Sequence, residues 1–246
     1  MKLKATVLCL MMSSFTVFAA EQHKHWGYSG DADASHWGDL EPGFTGCKLG
    51  KEQSPIDIQK AEKSALQPLG FSYGASAAEV VNNGHTIQVN LKEGGSVKLK
   101  DGEFKLLQFH FHTPSEEKIN GEAYPLVAHL VHKNAEGKLA VVAVLFKVGK
   151  ENGALKPVFD ALPAKAEDKK ALDKPINATD FLPVERGYYA FMGSLTTPPC
   201  SEGVRWQVLK QSVEISEAQL GAFKKLYAMN ARPVQPLNGR KVLESQ

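Results

Sequence analysis

Cysteine is scarce in this 246-residue chain. There are three, Cys9, Cys47 and Cys200, and none stands in a Cys-x-x-Cys arrangement, which argues against a thiolate zinc site. A surplus of one charge is lacking too. The 29 Lys+Arg against 27 Asp+Glu become 27 against 27 once Lys2 and Lys4 are set aside with the amino-terminal segment. That balance gives no electrostatic case for a nucleic-acid or membrane-surface partner. After the first twenty residues no apolar run approaches membrane-spanning length, so no membrane insertion is expected. Internal repeats are absent and helical periodicity is rare.

The first twenty residues read as a cleaved signal peptide. Lys2 and Lys4 form the charged start, Ala5 to Phe18 is mostly apolar, and small residues place the cut after Ala19 or Ala20. Cys9 would leave with it. An even pair, Cys47 and Cys200, in an exported chain then points to one disulfide, the alternative being two buried thiols. Residues 21–246 are expected to form one domain with a substantial core.

What is present is mainly β pattern. Residues 21–60 carry Gly, Asp and aromatics (Trp26, Tyr28, Trp37, Phe44) without sustained periodicity, as an irregular segment packed over a scaffold would. From Phe71 short alternating runs follow one another: 86–91, 96–100, 106–112, 126–132 and 139–148. Helices are expected over 155–161 and 216–228, the second with a capping box of Ser216 and Gln219. The charged stretch 164–174 reads as a surface helix or loop, and Pro233 and Pro236 keep the following tail extended.

Three histidines carry the chemistry. His110 and His112 are two apart on an alternating strand, so both rings face one side. His129 lies on the next strand, with Ile119-Asn120-Gly121 offering turn residues between the two. Antiparallel pairing would bring all three together. Three neutral nitrogen donors with no fourth protein ligand describe a catalytic zinc site with one open position. His132, three residues after His129, should face the other way and serve as a structural hydrogen-bonding histidine.

At this point a set of motifs resembles the α-class carbonic anhydrases, and the exported bacterial members most. The set comprises His25-Trp26-Gly27-Tyr28, Gln53-Ser54-Pro55-Ile56-Asp57-Ile58, Asn82-Asn83-Gly84-His85, Gln108-Phe109-His110-Phe111-His112, Ala128-His129-Leu130-Val131-His132, Gly193-Ser194-Leu195-Thr196-Thr197-Pro198-Pro199 and Arg232-Pro233-Val234-Gln235-Pro236. His112-Thr113-Pro114-Ser115-Glu116 and the cysteine pair Cys47 and Cys200 strengthen it. The resemblance implies a large, twisted, mostly antiparallel central sheet, a few short helices, and zinc at the base of a conical cleft. It implies reversible hydration of carbon dioxide to bicarbonate and a proton through zinc-bound hydroxide, in the periplasm, with a homodimer among the assemblies seen in such relatives.

The resemblance also assigns roles. His110, His112 and His129 become the zinc ligands. Thr196 and Glu116 become the gate that orients the attacking oxygen, and Thr197 helps place bicarbonate. His85 becomes the proton shuttle, suited by an ordinary imidazole pKa of about 6.5. Val131, Val141, Leu195, Val204 and Trp206 become the apolar wall for carbon dioxide. Gln108 fixes a ligand ring by hydrogen bonding, and Tyr28 joins the water network. A binding module that has lost catalysis fits less well, because all three histidines are present. A cupin-type iron dioxygenase, in which a glutamate ligand usually follows the His-x-His pair, is the other alternative, and metal analysis separates it.

One position departs from the pattern. Many family members carry a glutamate two residues before the third zinc histidine, and here that position is Val127. The expectation is a pocket without that anionic partner, His129 donating instead to a carbonyl, a water or another side chain, with looser zinc and tighter binding in a Val127→Glu variant.

Overall fold

The computed structural model describes residues 25–246. The signal-peptide reading, with its cut after Ala19 or Ala20, lies outside the described residues.

A thirteen-stranded sheet dominates. Across its main path run Lys169–Ala171, Ala78–Asn82, Ile87–Leu91, Gly102–His112, Leu126–Lys133, Leu139–Val148, Glu202–Leu209, Tyr188–Ser194, Leu243–Ser245 and Glu62–Ser64. Most neighbours are antiparallel. The exceptions are Leu139–Val148 beside Glu202–Leu209 and Val213–Ile215, and Leu243–Ser245 beside Glu62–Ser64. The mainly β, mostly antiparallel expectation holds, with these parallel pairings added.

Two apolar clusters cover the two faces of the central strands. Ala128, Leu130, Val142, Val144, Phe109 and Phe111 point into the larger one. Val127, Val141, Ala143, Leu145, Trp206 and Val208 point into the other. Residues 139–148 therefore read as a nearly unbroken apolar run because both faces are buried.

Strand Gly102–His112 departs from strict alternation. Phe104 and Leu106 are buried in the larger cluster, and so are Phe109 and Phe111, an odd step later. The register explains it: Val131 pairs with Gln108 but His132 with Leu106, leaving Leu107 as an extra residue. This β-bulge pushes Leu107 outward, 42% exposed. It lets one long strand feed the core with four apolar side chains while His110 and His112 face the other way.

Elsewhere the segment 164–174 is corrected: its Lys169–Ala171 portion is an edge strand paired with Ala78–Asn82. Its side chains are all exposed, and an edge strand sealed by lysines carries no apolar periodicity to read. Helix Glu217–Leu226 carries the expected capping box and buries Leu220 and Phe223. Residues 30–49 form short helical turns around the fully buried Trp37, whose indole N–H donates to the Gly27 and Ala32 carbonyls. Cys47 and Cys200 are joined by a disulfide.

Candidate metal centre

Strands Gly102–His112 and Leu126–Lys133 are adjacent and antiparallel, with His110 directly across from His129 and His112 across from Val127. The pleat sends all three imidazoles to the face of the smaller cluster. Among the described residues they form the group able to hold a metal ion, their ligand nitrogens all within 4.8 Å of one another.

Each ring has its other nitrogen committed. His110 Nδ1 lies 2.9 Å from the Gln108 side-chain oxygen. His112 Nδ1–H donates to the Asn230 carbonyl at 2.7 Å. His129 Nε2–H donates to the Glu117 carboxylate at 3.0 Å. Acceptor-only partners require the proton on those nitrogens, so Nε2 of His110, Nε2 of His112 and Nδ1 of His129 keep their lone pairs. The buried His112 Nε2 has no hydrogen-bond partner. A donor set of three neutral imidazoles, oriented by such partners and holding an orphaned buried nitrogen, fits zinc.

The electrostatics agree with neutral rings at two positions. Burial, reinforced by His129, pushes His110 down to about 3. Burial, with His129 and His110, holds His112 well below the ordinary imidazole range. His129 differs: burial opposes its charged form, but Glu117 and then Glu116 outweigh that and raise it.

Glu116 is buried beside two of the rings, Oε2 lying 3.4 Å from His112 Nε2 and 3.7 Å from His129 Nδ1. The Thr196 side chain hydrogen-bonds its carboxylate, and the Arg232 backbone N–H donates to Oε1 at 2.8 Å. Burial, more than the adjacent Glu117, pushes Glu116 up to about 7. The Arg232 guanidinium donates to the Gln53 side chain and to the Ser54 and Cys47 carbonyls, tying the amino-terminal segment to this corner.

The apolar residues gather as a wall. Val131 pairs across to Val141, Val141 to Trp206, and Trp206 to Phe191, a row one step from the His129 row. Val204 is buried in the same cluster and Leu195 packs against it. The Trp206 ring meets His129 edge-on, centroids 4.9 Å apart, and its N–H donates to the Ser194 carbonyl at 3.0 Å. Thr197 follows Thr196 in a turn closed by the Cys200 N–H donating to its carbonyl at 2.8 Å.

His85 sits in the turn after Asn82, where Asn83 Oδ1 accepts from the backbone of His85 and Thr86 and Gly84 takes a φ of +84°. Its ring stacks on Trp26 and His25. Burial, then His25, pulls its pKa down to about 4. The Tyr28 hydroxyl is buried without a hydrogen-bond partner and its pKa is raised, first by burial and then by Glu116. His132 faces the larger cluster, as its odd offset predicts, accepting from the Tyr73 hydroxyl at 2.6 Å and donating to the Ala140 carbonyl.

Two residues escaped sequence reasoning. Asn230 accepts from His112 and from the Thr113 N–H, and donates to the His85 and Phe111 carbonyls, pinning the centre to the carboxy-terminal tail. Of the partners that Val127 left open for His129, the structure supplies another side chain, the Glu117 carboxylate, so the pocket does not lack an acidic partner. Glu117 stands on the turn after the first histidine strand, where no periodicity reveals the direction of a side chain. The one signal was the acidic pair Glu116-Glu117.

Comparisons with known proteins agree on a single family. The sequence profile of the eukaryotic-type carbonic anhydrases matches residues 32–246. A carbonic anhydrase of Pectobacterium atrosepticum is 43% identical over 237 residues, covering 96% of this chain and 97% of the relative. One of Klebsiella pneumoniae is 44% identical over 244 residues, covering 98% of each. Among solved structures, the α-carbonic anhydrase of Thermovibrio ammonificans in complex with sulfanilamide superposes with a TM-score of 0.87 at 50% identity, covering 89% of this chain and 98% of that one.

Proposed function

This chain belongs to the α-class carbonic anhydrases, enzymes that interconvert carbon dioxide and bicarbonate, and from that membership we propose that it does so with zinc held by His110, His112 and His129. The observation that carries the proposal is the convergence of three imidazole nitrogens within 4.8 Å, each ring held in one tautomer from behind. Bound there, zinc would act as a Lewis acid and bring the pKa of a coordinated water to about 7, for which carbonic anhydrase is the standard case.

The chain's own residues do the rest. Glu116, when ionised, accepts the Thr196 hydroxyl proton, so the Thr196 oxygen is turned to accept a hydrogen bond from the attacking water or hydroxide. Thr197 helps seat bicarbonate. Val131, Val141, Leu195, Val204 and Trp206 give an apolar, non-coordinating surface to a substrate without charge. His85 receives the proton released in each turnover and passes it to solvent when its ring leaves the Trp26 stack, since within the stack its pKa of about 4 makes it a weak acceptor; Tyr28 orders water between. The cleft with zinc at its base, the periplasmic location and one domain over residues 21–246 belong to the same proposal. The disulfide supports export, because such bonds persist in oxidising compartments.

The test is stopped-flow carbon dioxide hydration on the mature chain, with zinc per chain measured on the same sample. Fast hydration near one zinc, abolished by chelation, is the expected result. One zinc without hydration would overturn the proposal.

A further inference from the structure

We propose that Glu117 is the positioning residue for His129, supplying from the turn the anionic partner that strand position 127 cannot. This rests on the zinc reading above and deepens it.

The three rings are not held alike. Gln108 offers His110 an amide oxygen and Asn230 offers His112 a carbonyl, both neutral. His129 alone has a carboxylate on the nitrogen turned away from the shared centre, with Glu117 3.0 Å from its Nε2. Both side chains are at most 1% exposed, so water does not compete for the contact. The second Glu117 oxygen has no hydrogen-bond partner, which leaves the imidazole as the carboxylate's principal interaction. Such a partner fixes the proton on Nε2 and makes Nδ1 a better donor to a metal.

The turn is built to aim Glu117. Ser115 Oγ donates to the Glu117 carbonyl at 2.7 Å and accepts from the Tyr124 N–H at 2.9 Å. The Ser115 N–H donates to the Tyr124 carbonyl at 2.8 Å. On the far side the Lys118 N–H donates to the Ile56 carbonyl, and 118–119 pair in parallel with 57–58. Glu117 is thus clamped from both flanks.

Val127 lies on the His129 face but is fully buried, in one cluster with Ile56, Ile58 and Leu145. A glutamate added there would meet an imidazole already engaged, and would bury one more negative charge beside Glu116 and Glu117. The Val127→Glu variant is therefore expected to bind zinc no more tightly than the parent. The partner has changed position, and the two positions should be exchangeable only as a pair.

The experiment compares zinc affinity by chelator competition in the full mature chain, Glu117→Gln, and the double variant Glu117→Gln/Val127→Glu. In parallel, NMR of the zinc-loaded parent reads the His129 tautomer. Glu117→Gln should weaken zinc by ~10–100-fold with an unchanged circular dichroism spectrum, and the double variant should recover much of it. The parent should show a downfield His129 Nε2–H. Unchanged affinity in Glu117→Gln overturns the role, and a double variant as weak as the single one overturns the exchange. A parent protonated on His129 Nδ1 overturns the proposal even where the variants fail to fold. A parent that takes up no zinc, or as much after His110→Ala, would instead sink the metal site and this inference with it.

Discussion

The imidazole of His85 lies flat on the indole of Trp26, ring centroids 3.5 Å apart and planes 6° from parallel. With His25 on hand at 4.8 Å, the ring is half-buried and its pKa falls to about 4 from an ordinary 6.5, burial being the larger cause. A folded-state pKa below the unfolded one favours the neutral ring. Its stabilising contribution is complete above pH 6.5 and is lost as pH falls towards 4. Trp26→Ala removes cover from the ring, so the His85 pKa should climb back towards 6.5, read from its ring C–H shifts across a pH titration. A His85 that still titrates near 4 in that variant would place the cause in something other than the stack.

Thr196→Val keeps the shape of the side chain and deletes its hydroxyl. The Glu116 carboxylate then loses a hydrogen-bond donor and the attacking oxygen loses its acceptor. Misorientation of a reacting group costs about 10²-fold, so kcat for hydration should fall by that order while zinc per chain stays the same. Loss of zinc in step with activity would show that Thr196 acts on the centre's stability rather than on orientation.

Much of this centre was legible in the sequence because strand geometry is rigid. Period 2 placed His110 and His112 on one face, and a neighbouring antiparallel strand sufficed to bring in His129 and to send His132 the other way. The bulge at Leu107 was not legible, since Leu106-Leu107 looks like an ordinary apolar step until the partner strand fixes the register. Glu117 and Asn230 were hidden for a related reason. They sit on turns and tail, where direction is set by hydrogen bonds, Ser115 Oγ donating to the Glu117 carbonyl while held by the Tyr124 N–H, and Asn230 donating to the Phe111 carbonyl, not by any local repeat. Lys169–Ala171 was read as surface correctly, but nothing in three exposed residues announces an edge strand.

The Cys47–Cys200 disulfide spans 153 residues of chain. Closing so long a loop removes entropy from the unfolded ensemble, about 5 kcal/mol in the chain-entropy model. It also holds together the two cysteines whose own carbonyls accept hydrogen bonds, Cys47 from Arg232 and Cys200 from Gln53. A Cys47→Ser/Cys200→Ser variant should fold with its zinc site intact and unfold at markedly lower urea, by up to that energy. An unchanged midpoint under non-reducing conditions would mean the unfolded chain is already compact enough that the cross-link adds nothing.

Gly193 has no room for a side chain. A Cβ there would overlap the fully buried Ser54 Oγ and come within 3.0 Å of Trp206 Cδ1, part of the smaller cluster. Ser54 cannot retreat, because its oxygen accepts the Ser194 N–H at 3.1 Å and its N–H donates to Ser194 Oγ at 2.9 Å. Trp206 is held by its own N–H to the Ser194 carbonyl and by its stack on Phe191. Overpacking of a site so constrained costs about 1–3 kcal/mol, which Gly193→Ala should show as a lower denaturation midpoint. Because Trp206 also meets His129 edge-on, the strain should reach the metal centre, seen as a faster zinc off-rate in the same variant. A stable Gly193→Ala with parental zinc release would mean that the Ser54 segment yields and Trp206 stays where it is.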